Sequence, residues 1–214
     1  VYKRQAHGSA RHGDSFVYLG SLTESSASVE QELTRRLQKA AGAFSTLRSK
    51  VFSRNGVSLS TRLQLYKSVV VPTLLYGAAE SWALTASQLH RLNVFHTNCL
   101  RRLMHISRLD HITNEELYRR SGTRALSDLL CTHRMRWLGH VARSANTRVI
   151  KQLLFAHTMP GSSSQERRAA VTWRDMARAD IEALDLGQGL GWYRRARDRA
   201  AWREAVNKGL ERMS

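Results

Sequence analysis

The sequence offers few side chains able to do chemistry. His96-x-x-Cys99 and Cys131-x-His133 are the two pairs with metal-ligating types at short spacing. An i, i+3 pair can share one helical face, so together the four could form a Cys₂His₂ zinc site and support a zinc-dependent hydrolase. Against that, Cys99 falls within an apolar stripe, where cysteine acts as a small hydrophobe. Glu115-Glu116 are neighbouring carboxylates at the start of a predicted helix. Adjacent helical residues point about 100° apart, and acids in a first turn suit the helix dipole, so this pair does not read as paired metal ligands. Gly187-Gln188-Gly189-Leu190-Gly191 follows no predicted strand and is not a phosphate loop. No catalytic residue is expected in the chain.

The remaining chemistry is cationic. The 214 residues carry 34 Lys+Arg against 17 Asp+Glu, a formal net charge of +17. Arginine dominates, 28 to 6 over lysine, and its planar fork suits phosphate. The excess is spread evenly: 18 basic against 9 acidic residues over 1–132, and 16 against 8 over 133–214. With 42% hydrophobic residues, the chain is no disordered basic tail. A basic body points to a polyanion, and nucleic acid is the expected partner. The phosphate-facing candidates are Lys67, Arg101, Arg102, Arg136, His140 and Arg143. At 100° per residue, His133, Arg136, His140 and Arg143 form a stripe opposite Leu130, Leu138 and Val141, suited to tracking a backbone. Arg134 intrudes on the apolar side. Trp192 and Trp202 share a side with Arg195 and Arg199, an arrangement that fits internal packing better than base stacking.

The elements that must position these residues are mostly helical. Phe16–Gly20 is β-prone and is the one predicted strand, near 16–19. Ser28 and Gln31 have capping-box spacing and open a helix over about 29–52. Asn55-Gly56 ends it, Ser60 or Thr61 caps a second helix, and Pro72 should kink that helix or start a new turn. Thr85 and Gln88 open a helix to about Met104; Asn114 caps a short one ending near Gly122; Ala125–Arg143 is the next. A linker over 158–171 precedes helices over about 172–185 and 191–208. The expected class is mainly α: a helical bundle, a linker and a small C-terminal helical pair. No run approaches the ~18 apolar residues of a membrane span. Two cysteines are too few for a disulfide scaffold, so an intracellular setting is expected.

Ordered strings go further than composition. Tyr18-Leu19-Gly20-Ser21, Arg35-Arg36-Leu37-x-Lys39-Ala40-x-x-Ala43-Phe44 and Leu63-x-x-Tyr66-x-x-Val69-Val70-x-Pro72-x-Leu74-Leu75-Tyr76-Gly77 come first, then Glu80-x-Trp82. Arg134-Met135-Arg136-Trp137-Leu138-Gly139-His140-Val141-x-Arg143, Trp173-x-Asp175 and Asp198-Arg199-x-x-Trp202-Arg203 follow. In this order they resemble non-LTR (LINE-like) retrotransposon reverse transcriptases just after the palm, over nearly all of 16–206. The resemblance implies the end of a palm over 6–27, a helical thumb over 28–157 and a C-terminal helical region over 172–214. It further implies RNA and DNA as partners, together with the palm and fingers of the same polypeptide. The polymerase's Asp-Asp motif is missing from this sequence, so Mg is expected for the parent polymerase and no cofactor for this chain. A nuclear and cytoplasmic ribonucleoprotein would be the parent's setting. Gln165–Ala170 lacks the Gly-Arg-Pro segment often found there in the family. Val1-Tyr2-Lys3-Arg4-Gln5 is what GTG TAT AAG AGA CAG encodes and resembles a transposase sequencing adapter. The expectation is therefore a scar over 1–5, a fragment of a longer protein, and +15 for the natural part. The second reading is a free-standing helical DNA- or RNA-binding adaptor or regulator, and a third is a decayed element without selected activity.

Overall fold

The computed structural model describes residues 15–18, 21–24, 29–54, 56–77, 80–156, 171–187 and 189–213. The adapter-like residues 1–5, Ser28 and all of the expected linker except Val171 lie outside them. The described chain is mainly helical. At its start the backbones of β1 (Ser15–Tyr18) and β2 (Ser21–Glu24) run antiparallel.

Helix α1 (Glu30–Leu47) places Leu33, Ala40 and Phe44 on its buried side and runs into a wider π-helical turn, Arg48–Phe52. Helix α2 (Leu59–Leu65) is capped by Ser58, whose hydroxyl accepts from the Thr61 amide, so neither Ser60 nor Thr61 is the cap. It too widens, over Tyr66–Val70, and resumes as α3 (Val71–Leu75). Pro72 explains this. It has no N–H for the carbonyl four residues back and its ring crowds that carbonyl, so the turn before it opens and the Val71 amide bonds Tyr66 O instead.

Helix α4 (Ala86–Leu103) opens on the expected box: Thr85 Oγ1 accepts from the Gln88 amide, and Gln88 Oε1 accepts from the Thr85 amide. Helix α5 (Asn114–Ser121) is capped by Thr113 rather than Asn114, and ends on Gly122 at φ 56°, where only glycine is unstrained. Helix α6 (Leu126–Arg143) follows. Helix α7 (Val149–Ala156) is an element the sequence reading lacks. Helix α8 (Trp173–Ala183) has its own capping box, Thr172 with Asp175. The single helix expected over 191–208 is two, α9 (Gly191–Ala196) and α10 (Arg199–Met213). Asp198 interrupts it by accepting from the Ala200 and Ala201 amides, which makes it a start signal rather than an interior residue.

Two hydrophobic cores meet along α6. The first holds Leu33, Phe44, Tyr66, Leu74, Leu92 and Leu100, and takes Leu126 and Leu130 from the start of α6. The second takes Cys131, Met135, Leu138 and Ala142 from the rest of α6 and packs them against α8, α9 and α10. Helix α6 is therefore buried on different sides at its two ends, and its third face is left at the junction.

Candidate nucleic-acid interface

That junction is a cleft with two parts. The first, about 800 Å³, lies between the α2–α3 segment, the Gly122–Arg124 loop and the start of α6; it carries Lys67, Arg124, His133 and Arg136. The second, about 540 Å³, lies between α6 and α10. Arg136, His140 and Arg143 face Arg199 and Arg203 there. Thr132, Arg136 and Asn207 line both, so the parts adjoin. Glu80 is the one carboxylate among the lining residues of either part.

Each cation is set by local structure. The open turn at Tyr66–Val70 presents Lys67, and Lys67 Nζ donates to Gly122 O at 2.8 Å, joining two walls of the cleft. Arg124 sits in a loop fixed through its backbone. Its carbonyl accepts from His96 Nε2 at 3.1 Å, and because a carbonyl can only accept, His96 must carry its proton there. His96 Nδ1 therefore accepts from the Tyr66 hydroxyl at 2.7 Å. The imidazole lies near-parallel to the Tyr66 and Tyr118 rings, at 24° and 21° with centroids 5.6 and 5.8 Å away, and burial pushes its pKa down to about 4. His96 is a neutral strut under the cleft.

The α6–α10 trough depends on a close helix crossing. A Cβ at Gly139 would lie 2.5 Å from Trp202 Nε1, so only glycine lets α10 approach this near. The indole N–H donates to Met135 O at 2.8 Å. Trp202 is thus buried packing, as is the tilted Trp192–Trp202 pair, at 6.4 Å between centroids. Arg143 keeps one nitrogen on Ala196 O at 2.7 Å while the side chain lines the trough. Burial, then the nearby Arg199, lowers its pKa from an arginine's ordinary value. His133 is also held below its ordinary value, first by burial and then by Arg136, with Glu80 opposing.

Four of the six residues expected to face phosphate, Lys67, Arg136, His140 and Arg143, share this cleft. The other two do not. Arg101 donates to Ile112 O at 2.6 Å and Asn114 Oδ1 at 3.3 Å, clamping the end of α4 to the start of α5. Arg102 is exposed on the same turn and lines neither part. Arg134, the intruder on the apolar side, is buried and bonds Asp180 of α8 at 2.6 Å. The cleft residues missed in sequence are Arg124, Arg199, Arg203 and Asn207. The last three stand at i, i+4 and i+8 on α10, a polar stripe as local a signal as the one on α6.

The metal-ligand pairs do not converge. Both His96 nitrogens are occupied, and burial pushes the Cys99 and Cys131 thiols up to about 12, so neither supplies a thiolate near neutral pH. Among the described residues, no three His, Cys, Asp or Glu side chains come together in a way that could hold a metal ion. No helix among them is long and apolar enough to cross a membrane. No protein-family model, no curated protein and no solved structure matches the chain.

Proposed function

We propose that the cleft holds nucleic acid by its phosphates, and that the chain is a thumb-like piece of a non-LTR retrotransposon reverse transcriptase. In that reading it would grip RNA template and cDNA for a palm and fingers elsewhere in the polypeptide and do no chemistry itself. One observation carries the binding: two cationic stripes, Arg136/His140/Arg143 on α6 and Arg199/Arg203 on α10, face each other across one trough with no carboxylate between them. Guanidinium groups on two walls match a phosphate chain passing between them. A polymerase must hold any sequence, and backbone contacts do that. The polymerase assignment rests on the ordered sequence strings, such as Arg134–Val141 and Asp198–Arg203.

Fluorescence anisotropy with labelled oligonucleotides over a salt series tests the binding. Four trough arginines should give a log–log salt slope of about −3, hence a loss of tens of fold between 50 and 200 mM salt. Arg199→Glu with Arg203→Glu should flatten that slope. Affinity unchanged across the salt range would refute phosphate binding. A competition series with unrelated sequences separates a polymerase thumb, which tolerates all of them, from an adaptor that prefers one.

A further inference from the structure

The two parts of the cleft differ in chemistry. The α6–α10 trough is walled by arginine. The first part adds to its cations and Glu80 an apolar lining, its floor, of Val71, Pro72, Leu75 and Leu129, none of which lines the trough. Tyr76 stands at this floor, 67% exposed, with the Arg36 guanidinium 5.9 Å from its ring centroid. A tyrosine left this exposed in a cationic cleft is a surface a flat aromatic group can stack on. Phosphate contacts give no reason for an apolar floor, and a duplex keeps its base faces stacked inside, so its exterior offers nothing to fill one. A single strand brings both halves of the match: charged backbone for the trough, and unstacked bases for the floor.

We infer that the cleft takes single-stranded nucleic acid, with at least one unpaired base seated on Tyr76 and the Val71–Leu75 floor while the adjoining phosphates run into the α6–α10 trough. The inference rests on the phosphate reading and narrows its ligand to an unpaired stretch of template or cDNA, in place of the RNA–cDNA hybrid. Arg136 and Asn207, common to both parts, mark where the backbone crosses from one to the other. Lys67 and Arg124 lie where the phosphates flanking the seated base would pass.

The test uses the full chain and anisotropy at one fixed low salt. The probes are a labelled mixed-sequence DNA strand of about a dozen nucleotides, its blunt duplex, and the same strand with consecutive abasic sites at its centre. The strand should bind roughly tenfold tighter than either the duplex or the abasic strand. Tyr76→Ala should lose roughly tenfold on the intact strand and little on the abasic one, while Tyr76→Phe, which keeps the stacking ring, should retain wild-type affinity. Tyr76 is exposed, so its loss leaves the cores intact, and an unchanged thermal transition verifies that. Equal or tighter duplex binding, or Tyr76→Ala behaving as wild type, overturns the base seat and leaves the phosphate reading standing. If no probe binds, the phosphate reading falls and the base seat with it.

Discussion

In the first core, the space between α1, α4 and the start of α6 is filled by leucines and an aromatic run, Phe52–Phe44–Tyr66–His96–Tyr118, with neighbouring centroids 5.6 to 6.1 Å apart. Its buried imidazole is kept neutral. In the second core the joints are polar and cationic. Arg134 bonds Asp180, Arg143 and Trp202 each donate to a backbone carbonyl, and Lys151 is buried with its ammonium on Ala142 O and Ser144 O. An arginine-rich chain thus places its cations in two ways. Some are consumed as cross-links, Arg134 and Lys151 in the smaller core and Arg36 with Glu32 on α1; others line the cleft where the cores meet, and Arg143 does both. The contrast matters for function, because a cation already bonded within the protein has little left to offer a phosphate.

The sharpest way to break the contrast is to leave a cross-linking cation without its partner. Arg134 is 3% exposed at its side chain, so Asp180→Ala strands a buried charge, at a cost of about 3–5 kcal/mol. Hydrogen exchange should show α8–α10 opening while α1 and α4 stay protected. Replacing both partners with Arg134→Met and Asp180→Leu should restore most of the loss. If Asp180→Ala loosens both cores equally, they are one cooperative unit and the contrast fails.

Acid should find the first core next. Above His96's ordinary pKa of 6.5 the imidazole is neutral in both states and nothing is lost. Below it the unfolded chain takes up a proton that the folded chain, with its pKa near 4, refuses. Stability should fall by about 3 kcal/mol from pH 6.5 to pH 4 and then level off for this group. Glu116, held at about 2 by Arg119 and Arg120, releases its contribution at lower pH, below the carboxylate's ordinary 4.5. Chemical denaturation across pH 4–6.5 reads the two lowered histidines together, and His96→Gln should remove the larger part of that limb while His133 keeps the remainder.

Smaller still is Gly139→Ala. The added methyl meets Trp202, and the crossing must open, at about 1–3 kcal/mol. Because α10 carries Arg199 and Arg203, oligonucleotide affinity should fall along with the melting temperature. A lower melting temperature with unchanged affinity would show that the trough does not depend on this approach.

Much of this was legible in sequence where the signal was local. Thr85 and Gln88 lie three residues apart and their box forms. Gly122 ends α5, Pro72 disturbs its helix, and the α6 stripe faces a cleft. Local signals also misled by a residue or more: Ser58 and Thr113 cap where a later hydroxyl or amide was expected, and Asp198 divides a helix whose apolar period runs on. What was not legible is long-range. Arg134 stood out in its stripe, but its partner lies 46 residues on. That α10 would face α6 depends on Gly139 meeting Trp202, which no periodicity announces.

The smallest effect on stability tests the division of cations most directly. Lys67 is exposed and spends one of its three donors on Gly122 O. Lys67→Met keeps most of the stem, removes the charge, and should change stability by less than about 0.5 kcal/mol. If Lys67 belongs with the cleft cations, the same change should make the oligonucleotide salt slope shallower by about 0.7 and weaken all sequences alike. Arg101→Met should do the reverse. Its guanidinium holds the α4–α5 joint, so the melting temperature should drop and the slope should stay. Measuring both variants by thermal melt and by salt titration places each cation on one side of the division, and a slope change for Arg101 without one for Lys67 would invert it.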